Sequence, residues 1–192
     1  MRKVIVGEYV SLDGVIEGPN PGDPYEHAGW ASPYNSEEAQ QVVSDSMSKS
    51  DALLLGRVSY QSYAAAFSSQ VGGFADVMNG FHKYVVSTTL KKAEWNNSTL
   101  IKGNIVEEIA KLKQQPGMKD IGVSGSATLV QTLMQHALID EYVLLVCPLV
   151  LGSGKRLFSD MSKPTLKLIE AKSLSSGIVV LTYQPDKKEE FK

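Results

Sequence analysis

Residues 120–138 consist of a short β-branched segment, then a turn of small residues, then an amphipathic segment. Residues 121–123 predict a strand, and the small residues Ser124, Gly125 and Ser126 predict a tight turn after it. The apolar residues that follow recur at helical spacing and would form one face: Leu129, Val130, Leu133, Met134, Ala137 and Leu138. The stretch therefore predicts a strand, a turn and a helix that buries one side.

This turn has two interpretations. The first backbone N–H groups of a helix have no partner within the helix, and the helix dipole favours a negative charge there. Because Gly125 has no side chain, an anion can approach the backbone closely, so the turn could hold the pyrophosphate of a dinucleotide. The turn could also be an ordinary connection. Its spacing is G-x-x-G and not the G-x-G-x-x-G of the dinucleotide-binding fingerprint, and the acidic residue that this fingerprint has about 20 positions further on is missing after Gly125. The choice depends on the rest of the chain.

Predicted strands alternate with predicted helices up to about residue 147. Apolar and β-branched runs predict strands at residues 3–10, 51–55, 84–86, 99–101, 121–123 and 141–147, and a hairpin at 166–173 and 177–183. Helical spacing predicts helices at 36–49, 60–67, 74–79 and 104–114, and after the turn at Ser126. This order favours a three-layer α-β-α fold of the α/β class, with a mostly parallel sheet and an antiparallel C-terminal hairpin. We predict one domain over residues 1–192.

Composition and charge argue against several classes of function. A net charge of −2 and a pI near 5.9 give no basic surface for nucleic acid. No apolar run approaches the ~18 residues of a membrane span, and the chain begins directly with strand-like sequence rather than a targeting signal. The single cysteine, Cys147, lies in an apolar run and is predicted to be a buried core thiol. We therefore predict a cytoplasmic protein without a metal site.

Polar residues follow three of the predicted strands, at the edge where an open α/β sheet binds its ligands. Asp13 lies in a Gly- and Pro-rich loop after the first strand, where it could serve a ligand or simply form the turn. Arg57 stands between the second strand and the next helix, where a guanidinium can bind phosphate through two hydrogen bonds or can lie on the surface. Ser87 and Thr88 place hydroxyl groups at the end of the third strand.

Other charged residues suggest less specific roles. Glu8 interrupts the apolar first strand near its end. Glu37 and Glu38 lie in the first turn of a predicted helix, where they complement the helix dipole more readily than they act as catalytic acids. Asn35, three residues before Glu38, resembles a helix-capping pair with it. Residues 152–156 (Gly-Ser-Gly-Lys-Arg) could contact an anion or simply turn the chain with two solvated bases.

Five segments, taken in their order and spacing, resemble the dihydrofolate-reductase-like superfamily. Within it, they are most similar to the C-terminal reductase domain of the bifunctional riboflavin-biosynthesis deaminase-reductase. The segments are SLDGVIEG (11–18), DALLLGRVSY (51–60), KYVVSTTL (83–90), IGVSGSATLVQTL (121–133) and IDEYVLLVCPLVLGSGKRLF (139–158). The resemblance covers residues 3–183 and implies a mixed eight-stranded sheet flanked by helices, with NADPH as the hydride donor.

The resemblance also implies where the cofactor binds. The implied cofactor-binding residues are Gly56, Arg57, Ser59, Ser87, Thr88, Gly125, Ser126 and Ala127. The first three match a Gly-Arg-x-Ser/Thr turn that meets the cofactor's phosphates, and the next two match hydroxyl groups beside the adenosine 2′-phosphate. The last three match the glycine turn under the pyrophosphate and nicotinamide. The arginine and the hydroxyl groups favour NADP over NAD, and Asp13 matches a turn over the nicotinamide and substrate.

Some positions differ from the family patterns in ways that concern the substrate. Dihydrofolate reductases bind the pterin with a carboxylate on the first helix, and Asn35 or Gln40 stands at the matching position here, depending on where the count starts. Riboflavin-pathway reductases hold a ribose phosphate with arginines in the span matching residues 36–63, where this chain has only Arg57. They commonly carry Glu where Ser124 stands. These differences argue against a folate and against a phosphoribosyl pyrimidine as substrate.

The sequence thus predicts an NADPH-dependent reductase of a small heterocyclic, pyrimidine- or pterin-like, or carbonyl substrate. It resembles the 5-amino-6-(5-phosphoribosylamino)uracil reductase domain. Asp13, or a water that it holds, is the first candidate for the proton donor, and Glu8 is the second. The alternative is an NADP(H)-binding module without catalysis that serves regulation or assembly, which the missing carboxylate and arginines favour. A domain that binds no nucleotide conflicts with the joint presence of Arg57, the hydroxyl pair and the glycine turn. The resemblance also suggests a homodimer.

Overall fold

The computed structural model describes residues 1–116, 118–158 and 165–186, and this part of the chain contains eight strands and five helices. The strands are β1 (Val4–Ser11), β2 (Ser50–Gly56), β3 (His82–Val86), β4 (Ser98–Ile101), β5 (Asp120–Val123), β6 (Glu141–Cys147), β7 (Leu166–Ser173) and β8 (Val179–Pro185). The helices are α1 (Glu37–Ser48), α2 (Arg57–Phe67), α3 (Phe74–Gly80), α4 (Ile105–Gln114) and α5 (Ala127–Gln135), with a 3-10 turn at Ser32–Tyr34.

All eight strands join one sheet, in the order β4-β3-β2-β5-β1-β6-β8-β7. Neighbouring strands from β4 to β6 pair in parallel, whereas β8 pairs antiparallel with both β6 and β7. Parallel pairing suits the strands that are joined through helices, and antiparallel pairing suits the two that are joined by a short turn. The predicted α/β class, the mostly parallel sheet and the antiparallel C-terminal hairpin are therefore confirmed.

Helices cover both faces of the sheet, as the predicted three-layer arrangement requires. Strand β2 illustrates how the sequence builds both layers. Leu54 packs into the core that α4 and α5 form on one face, whereas Leu53 and Leu55 pack into the core of α2 and α3 on the other. Because successive side chains of a strand point to opposite faces, a continuous apolar run suits a strand that is buried on both sides. Cys147 is fully buried beside α1, which confirms the predicted core thiol.

The N-terminus of α1 differs from the prediction by one residue. Ser36, and not Asn35, caps the helix, since its side chain accepts a hydrogen bond from the Ala39 N–H at 3.3 Å. Glu38 is not part of a capping pair and instead accepts hydrogen bonds from the backbone N–H of Ser175 at 2.8 Å and from its hydroxyl at 2.5 Å. Glu38 thereby joins the start of α1 to the turn between β7 and β8.

Strand β1 continues past the end of its neighbour β5. Val6 pairs with Val123, the last residue of β5, so the chain from Gly7 to Ser11 runs beside β6 but has no β5 partner. The chain leaves β1 towards β2 on one side, and it leaves β5 towards β6 on the other. In open α/β sheets, such a reversal opens a crevice at the carboxyl ends of the strands, where ligands bind.

At the opposite end of the sheet, the buried side chain of Arg2 ties three segments together. Its Nη2 forms an ion pair with Asp51 at the start of β2. Its Nε donates to the Lys119 carbonyl at 2.5 Å, and its Nη1 donates to Gln115 Oε1 at 2.9 Å. These hydrogen bonds satisfy the guanidinium at several of its donors, which makes burial of this charge tolerable.

Replacement of Arg2 by Met should lower the free energy of unfolding by about 2 kcal/mol, because it leaves Asp51 without its partner. Asp51 is 27% exposed, so the loss should stay below the ~3–5 kcal/mol measured for fully buried pairs. Urea denaturation measures the change. The matched control is Lys3→Met, because Lys3 is half exposed and lies 3.7 Å from Glu141, and its loss should be below about 1 kcal/mol. Equal losses in the two variants would contradict the role given to Arg2.

Candidate functional site

Two turns meet at the crevice, one before α2 and one before α5. The Gly56 N–H donates to the Gly125 carbonyl at 3.4 Å. A Cβ on Gly56 would lie 2.6 Å from Ser126 Oγ, and a Cβ on Gly125, where φ is +62°, would collide with Ser59 Oγ. A side chain at either glycine would therefore force the opposing serine side chain to move, and the positive φ of Gly125 would add backbone strain. The structure brings these four predicted cofactor residues together.

The helices that begin at these turns differ from α1 and α4 in their first turns. Helix α2 begins after Gly56 and α5 begins after Ser126, and neither has a side-chain cap or an acidic residue in its first turn. Helices α1 and α4 are each capped by a side chain and each carry two acidic residues there. Unpaired N–H groups and the helix dipole attract an anion, which an acidic side chain would repel. The starts of α2 and α5 therefore suit an anionic ligand.

Arg57 lies next to the predicted hydroxyl pair. Gly56 pairs with Val86 in the parallel register of β2 and β3, so the residues that follow the two strands, Arg57 and Ser87, are neighbours at the same edge. The Arg57 side chain is exposed, and its Nη1 donates to Gln61 Oε1 at 2.9 Å, one helical turn further on. A guanidinium in this position can exchange that contact for a phosphate without any change in the backbone.

The two hydroxyls of the pair have different surroundings. Ser87 is 8% exposed, and its Oγ accepts hydrogen bonds from the N–H groups of Thr89 at 3.2 Å and Leu90 at 2.9 Å. Thr88 is exposed. Ser87 therefore holds the turn after β3 in place, while Thr88 is the one whose hydroxyl is open to a ligand. Their predicted contact with a 2′-phosphate stays a prediction.

Glu8 lies on the part of β1 that continues past β5, and only 7% of it is exposed. Its Oε1 accepts a hydrogen bond from the Gly125 N–H at 2.5 Å, and its Oε2 has no hydrogen-bond partner among the residues that the structure describes. Burial raises the pKa of Glu8 to about 8, against a smaller lowering by the Gly125 hydrogen bond. At neutral pH this carboxyl therefore carries a proton, and it contacts the glycine turn directly.

Tyr63 and Asp23 also belong to this cluster, and sequence reasoning missed both of them. The Tyr63 hydroxyl lies 2.7 Å from Ser124 Oγ. Burial is the main cause that raises the pKa of Tyr63 to about 12; the Ser124 hydrogen bond lowers it, and the carboxyls of Glu8 and Asp23 add smaller increases. The sequence placed Tyr63 only within the helix predicted at residues 60–67. The available signal was its phenol, since a buried tyrosine hydroxyl needs a polar partner.

Asp13 fixes the loop that follows β1. Its Oδ1 accepts hydrogen bonds from the Ser11 hydroxyl at 2.7 Å and the Leu151 N–H at 3.1 Å, and its Oδ2 accepts one from the Gly152 N–H at 2.9 Å. The hydrogen bond from Ser11, followed by those from the backbone, lowers the pKa of Asp13 to about 2. Asp13 is therefore ionised at neutral pH and has no proton of its own to give. Its predicted role as proton donor stays a prediction that requires a bound water.

The two bases of residues 152–156 pair with acids in the loop after β1. Arg156 Nε donates to the Asp13 carbonyl at 2.8 Å, and its Nη2 lies 3.6 Å from the Asp13 carboxylate. Lys155 Nζ lies 2.8 Å from Glu17 Oε1. Of the two interpretations of this segment, the structure supports a turn, although its bases are paired with acids rather than surrounded only by water.

In the part of the chain that the structure describes, every helix is too short or too polar to span a membrane. No group of three or more His, Cys, Asp or Glu side chains among the described residues is arranged to hold a metal ion.

Comparison with known proteins identifies the family of this arrangement. A family model of the RibD C-terminal domain matches residues 2–180. The chain is 32% identical over 188 residues to the uncharacterized protein YyaP of Bacillus subtilis, and the match covers 95% of this chain and 94% of that protein.

Two solved structures have the same fold. One is a protein of Shewanella sp. PV-4 provisionally assigned to riboflavin biosynthesis, with a TM-score of 0.69 and 22% identity, over 96% of this chain and 99% of that one. The other is a Thermotoga maritima diaminohydroxyphosphoribosylaminopyrimidine deaminase/5-amino-6-(5-phosphoribosylamino)uracil reductase, with a TM-score of 0.65 and 14% identity. That match covers 96% of this chain and 57% of the Thermotoga protein. At these identities the two structures establish the fold alone.

The raised pKa of Glu8 should make folding stability depend on pH. Between its ordinary pKa of 4.5 and about 8, the folded protein keeps a proton that the unfolded chain has released, so stability falls as pH rises through this window. Relative to Glu8→Gln, the wild-type free energy of unfolding should fall by about 3 to 5 kcal/mol from about pH 5 to about pH 8. Urea denaturation at several pH values measures this difference. Glu94→Gln, at a side chain that is 81% exposed, is the control and should parallel the wild type. A constant difference between wild type and Glu8→Gln would contradict the raised pKa.

Proposed function

The chain belongs to the RibD C-terminal domain family, and from this premise we propose that it is an NADPH-dependent reductase of a small heterocyclic or carbonyl substrate. The observation that carries the proposal is the position of Glu8. A buried carboxyl with a pKa of about 8 contacts the glycine turn at the start of α5, where an anionic cofactor is expected to bind. Strongly perturbed carboxyls in a crevice are typical of catalytic sites.

The residues at the two turns fit an NADP cofactor. The uncapped starts of α2 and α5 would accept its pyrophosphate, and Gly56 and Gly125 leave space for the backbone to approach it. Ser59, Ser126 and Ala127 would border the same groups. Other predicted contacts lie at the neighbouring strand end: Arg57, Ser87 and Thr88 would surround the adenosine 2′-phosphate. When bound, the cofactor would supply a hydride from its nicotinamide.

Glu8 would hold and deliver the proton that accompanies reduction. Its Oε1 is fixed by the Gly125 N–H, so the proton would reside on Oε2, the oxygen without a partner in the described structure. A pKa of about 8 keeps that proton in place at neutral pH yet allows its release, as efficient acid catalysis requires. Asp13 would contribute by fixing the loop over the site. Glu8 thus replaces Asp13, the first candidate from the sequence, as the proposed proton donor.

Glu8 also favours catalysis over the alternative of a binding module without catalysis. Burying a carboxyl that must keep its proton opposes folding above pH 4.5, and a module that only binds nucleotide has no use for such a group. The expected cytoplasmic location and homodimer belong to the same proposal and rest on the sequence alone.

Replacement of Arg57 by Ala should weaken NADPH binding about tenfold or more, because it removes a charged hydrogen bond worth ~1.5–3 kcal/mol. NADH, which lacks the 2′-phosphate, should bind the variant and the wild type alike. Fluorescence titration measures both affinities. Gln61→Ala, which removes only the side chain that Arg57 contacts, is the matched control and should keep wild-type affinity. If neither nucleotide binds the wild type, the cofactor assignment is wrong.

Replacement of Glu8 by Gln should lower the rate of NADPH oxidation by about 100-fold or more, since it removes a general acid but keeps an acceptor for the Gly125 N–H. The affinity for NADPH should hardly change. The assay follows NADPH absorbance with a panel of small heterocycles, aldehydes and ketones. Wild-type activity should decline as pH rises through about 8, where Glu8 loses its proton.

Two results would contradict this role. A Glu8→Gln variant with wild-type turnover would exclude Glu8 as the proton donor. Tight NADPH binding without oxidation across the whole panel would instead support the binding module without catalysis. Asp13→Asn tests the competing assignment in the same assay.

A further inference from the structure

We infer that the substrate of this crevice is an uncharged or cationic molecule with N–H groups, such as an amino-substituted nitrogen heterocycle, and not a phosphate ester. The inference rests on the proposed function, because it names the substrate class of the same site. The Thermotoga relative, by contrast, has a name that describes a phosphoribosyl substrate. The charges and hydrogen-bonding groups around Glu8 are the basis for the difference.

The side chains of Glu8, Tyr63 and Ser124 offer oxygen atoms to a ligand. Glu8 Oε2 has no partner among the described residues, and the hydroxyls of Tyr63 and Ser124 bond to each other at 2.7 Å. A hydroxyl oxygen has two acceptor lone pairs, so this pair keeps acceptor capacity for an N–H group. A ring nitrogen of a heterocycle could take the proton from Glu8 while its amino groups donate to the hydroxyls. These three side chains complement a nitrogen heterocycle.

A second carboxyl group lies near Tyr63. Asp23, in the loop after β1, accepts hydrogen bonds from the Ser62 hydroxyl at 2.7 Å and from the Asn20 N–H at 3.0 Å. These contacts fix Asp23 against α2 at the residue before Tyr63, and its carboxylate raises the pKa of Tyr63. The loop therefore adds a negative charge near this phenol, whereas Glu8 keeps its proton at neutral pH and adds none.

The cations nearest this loop are already engaged elsewhere. Arg156 and Lys155 pair with Asp13 and Glu17, which ties the loop after β1 to the turn after β6. Arg57 donates to Gln61 at the start of α2, where the proposed cofactor phosphates would bind. Among the described residues, no lysine, arginine or histidine forms an ion pair or hydrogen bond with the side chain of Glu8, Tyr63 or Asp23.

A phosphate in this position would meet like charge without compensation. Proteins recognise phosphates with arginine forks or lysines, which supply hydrogen-bond donors and positive charge together. Here the groups around Tyr63 are the protonated Glu8, the Asp23 carboxylate and the Ser124 hydroxyl, and the charge of Asp23 would repel a phosphate dianion. An uncharged heterocycle avoids this repulsion, and a cationic one gains attraction. The crevice thus selects against phosphate by charge.

The test is a calorimetric titration of NADPH-saturated protein with two matched pairs, uridine with uridine 5′-phosphate and cytidine with cytidine 5′-phosphate, and with the free bases. Wild-type protein should bind at least one base or nucleoside, and should bind each binding nucleoside at least about tenfold more tightly than its 5′-phosphate. Asp23→Lys should remove or reverse this preference, and Asp23→Asn, which keeps an acceptor for Ser62, should reduce it. Glu26→Lys is the matched control. It makes the same change of charge on the same loop, but at a carboxylate that contacts Ser153 instead of α2, and it should leave the preference unchanged.

Each outcome bears on the inference. Equal or tighter binding of the nucleotides by the wild type would overturn the selection against phosphate. Absence of binding by every base and nucleoside would overturn the class of N–H heterocycles. A titration of NADPH into the same preparations separates the two proposals. Protein that does not bind NADPH contradicts the proposed function, whereas protein that binds NADPH but prefers the nucleotides contradicts only the inference about the substrate.

Discussion

The hydrogen bond from the Gly125 N–H to Glu8 connects the two halves of the crevice. Glu8 belongs to β1 and Gly125 to the turn that starts α5, so a single contact of 2.5 Å relates the proposed proton donor to the proposed cofactor turn. The contact exists because β1 continues past β5 and brings Glu8 beside a backbone amide instead of a β5 partner, while β6 still pairs on the other side. The missing β5 partner along this part of β1 is the structural condition for the proposed site.

Charged side chains hold the loop after β1 in place. Asp13 and Glu17 pair with Arg156 and Lys155, and Asp13 also accepts two backbone N–H groups from the turn after β6. Such contacts order a Gly- and Pro-rich loop that has little apolar surface to bury. Because they use the positive charges of the turn, they leave Asp23 as an uncompensated carboxylate towards α2. The same pairs that order the loop would therefore determine the charge that the proposed substrate meets.

The fold was predictable because its signals are local. Apolar runs and helical spacing gave β6 and β7 with the observed bounds, and the other elements to within a few residues. The cap of α1 was misplaced because Asn35 and Ser36 are both good capping residues, and only the backbone decides which side chain faces the Ala39 N–H. The two glycine turns were predictable too, since glycine and strand-end position are written in the sequence, and their role towards a cofactor stays a proposal.

The candidates for the proposed proton donor were harder to rank, since the pKa of each depends on contacts that are distant in sequence. Asp13 and Glu8 are both carboxyls near the end of β1, and nothing in the local sequence separates them. The distinction comes from residues 138 and 117 positions away: the Leu151 N–H binds Asp13 in its charged form, whereas Glu8 is buried beside Gly125. One environment lowers a pKa to about 2 and the other raises it to about 8. A family resemblance transfers backbone turns reliably, but acid–base roles follow from burial, which only the assembled crevice defines.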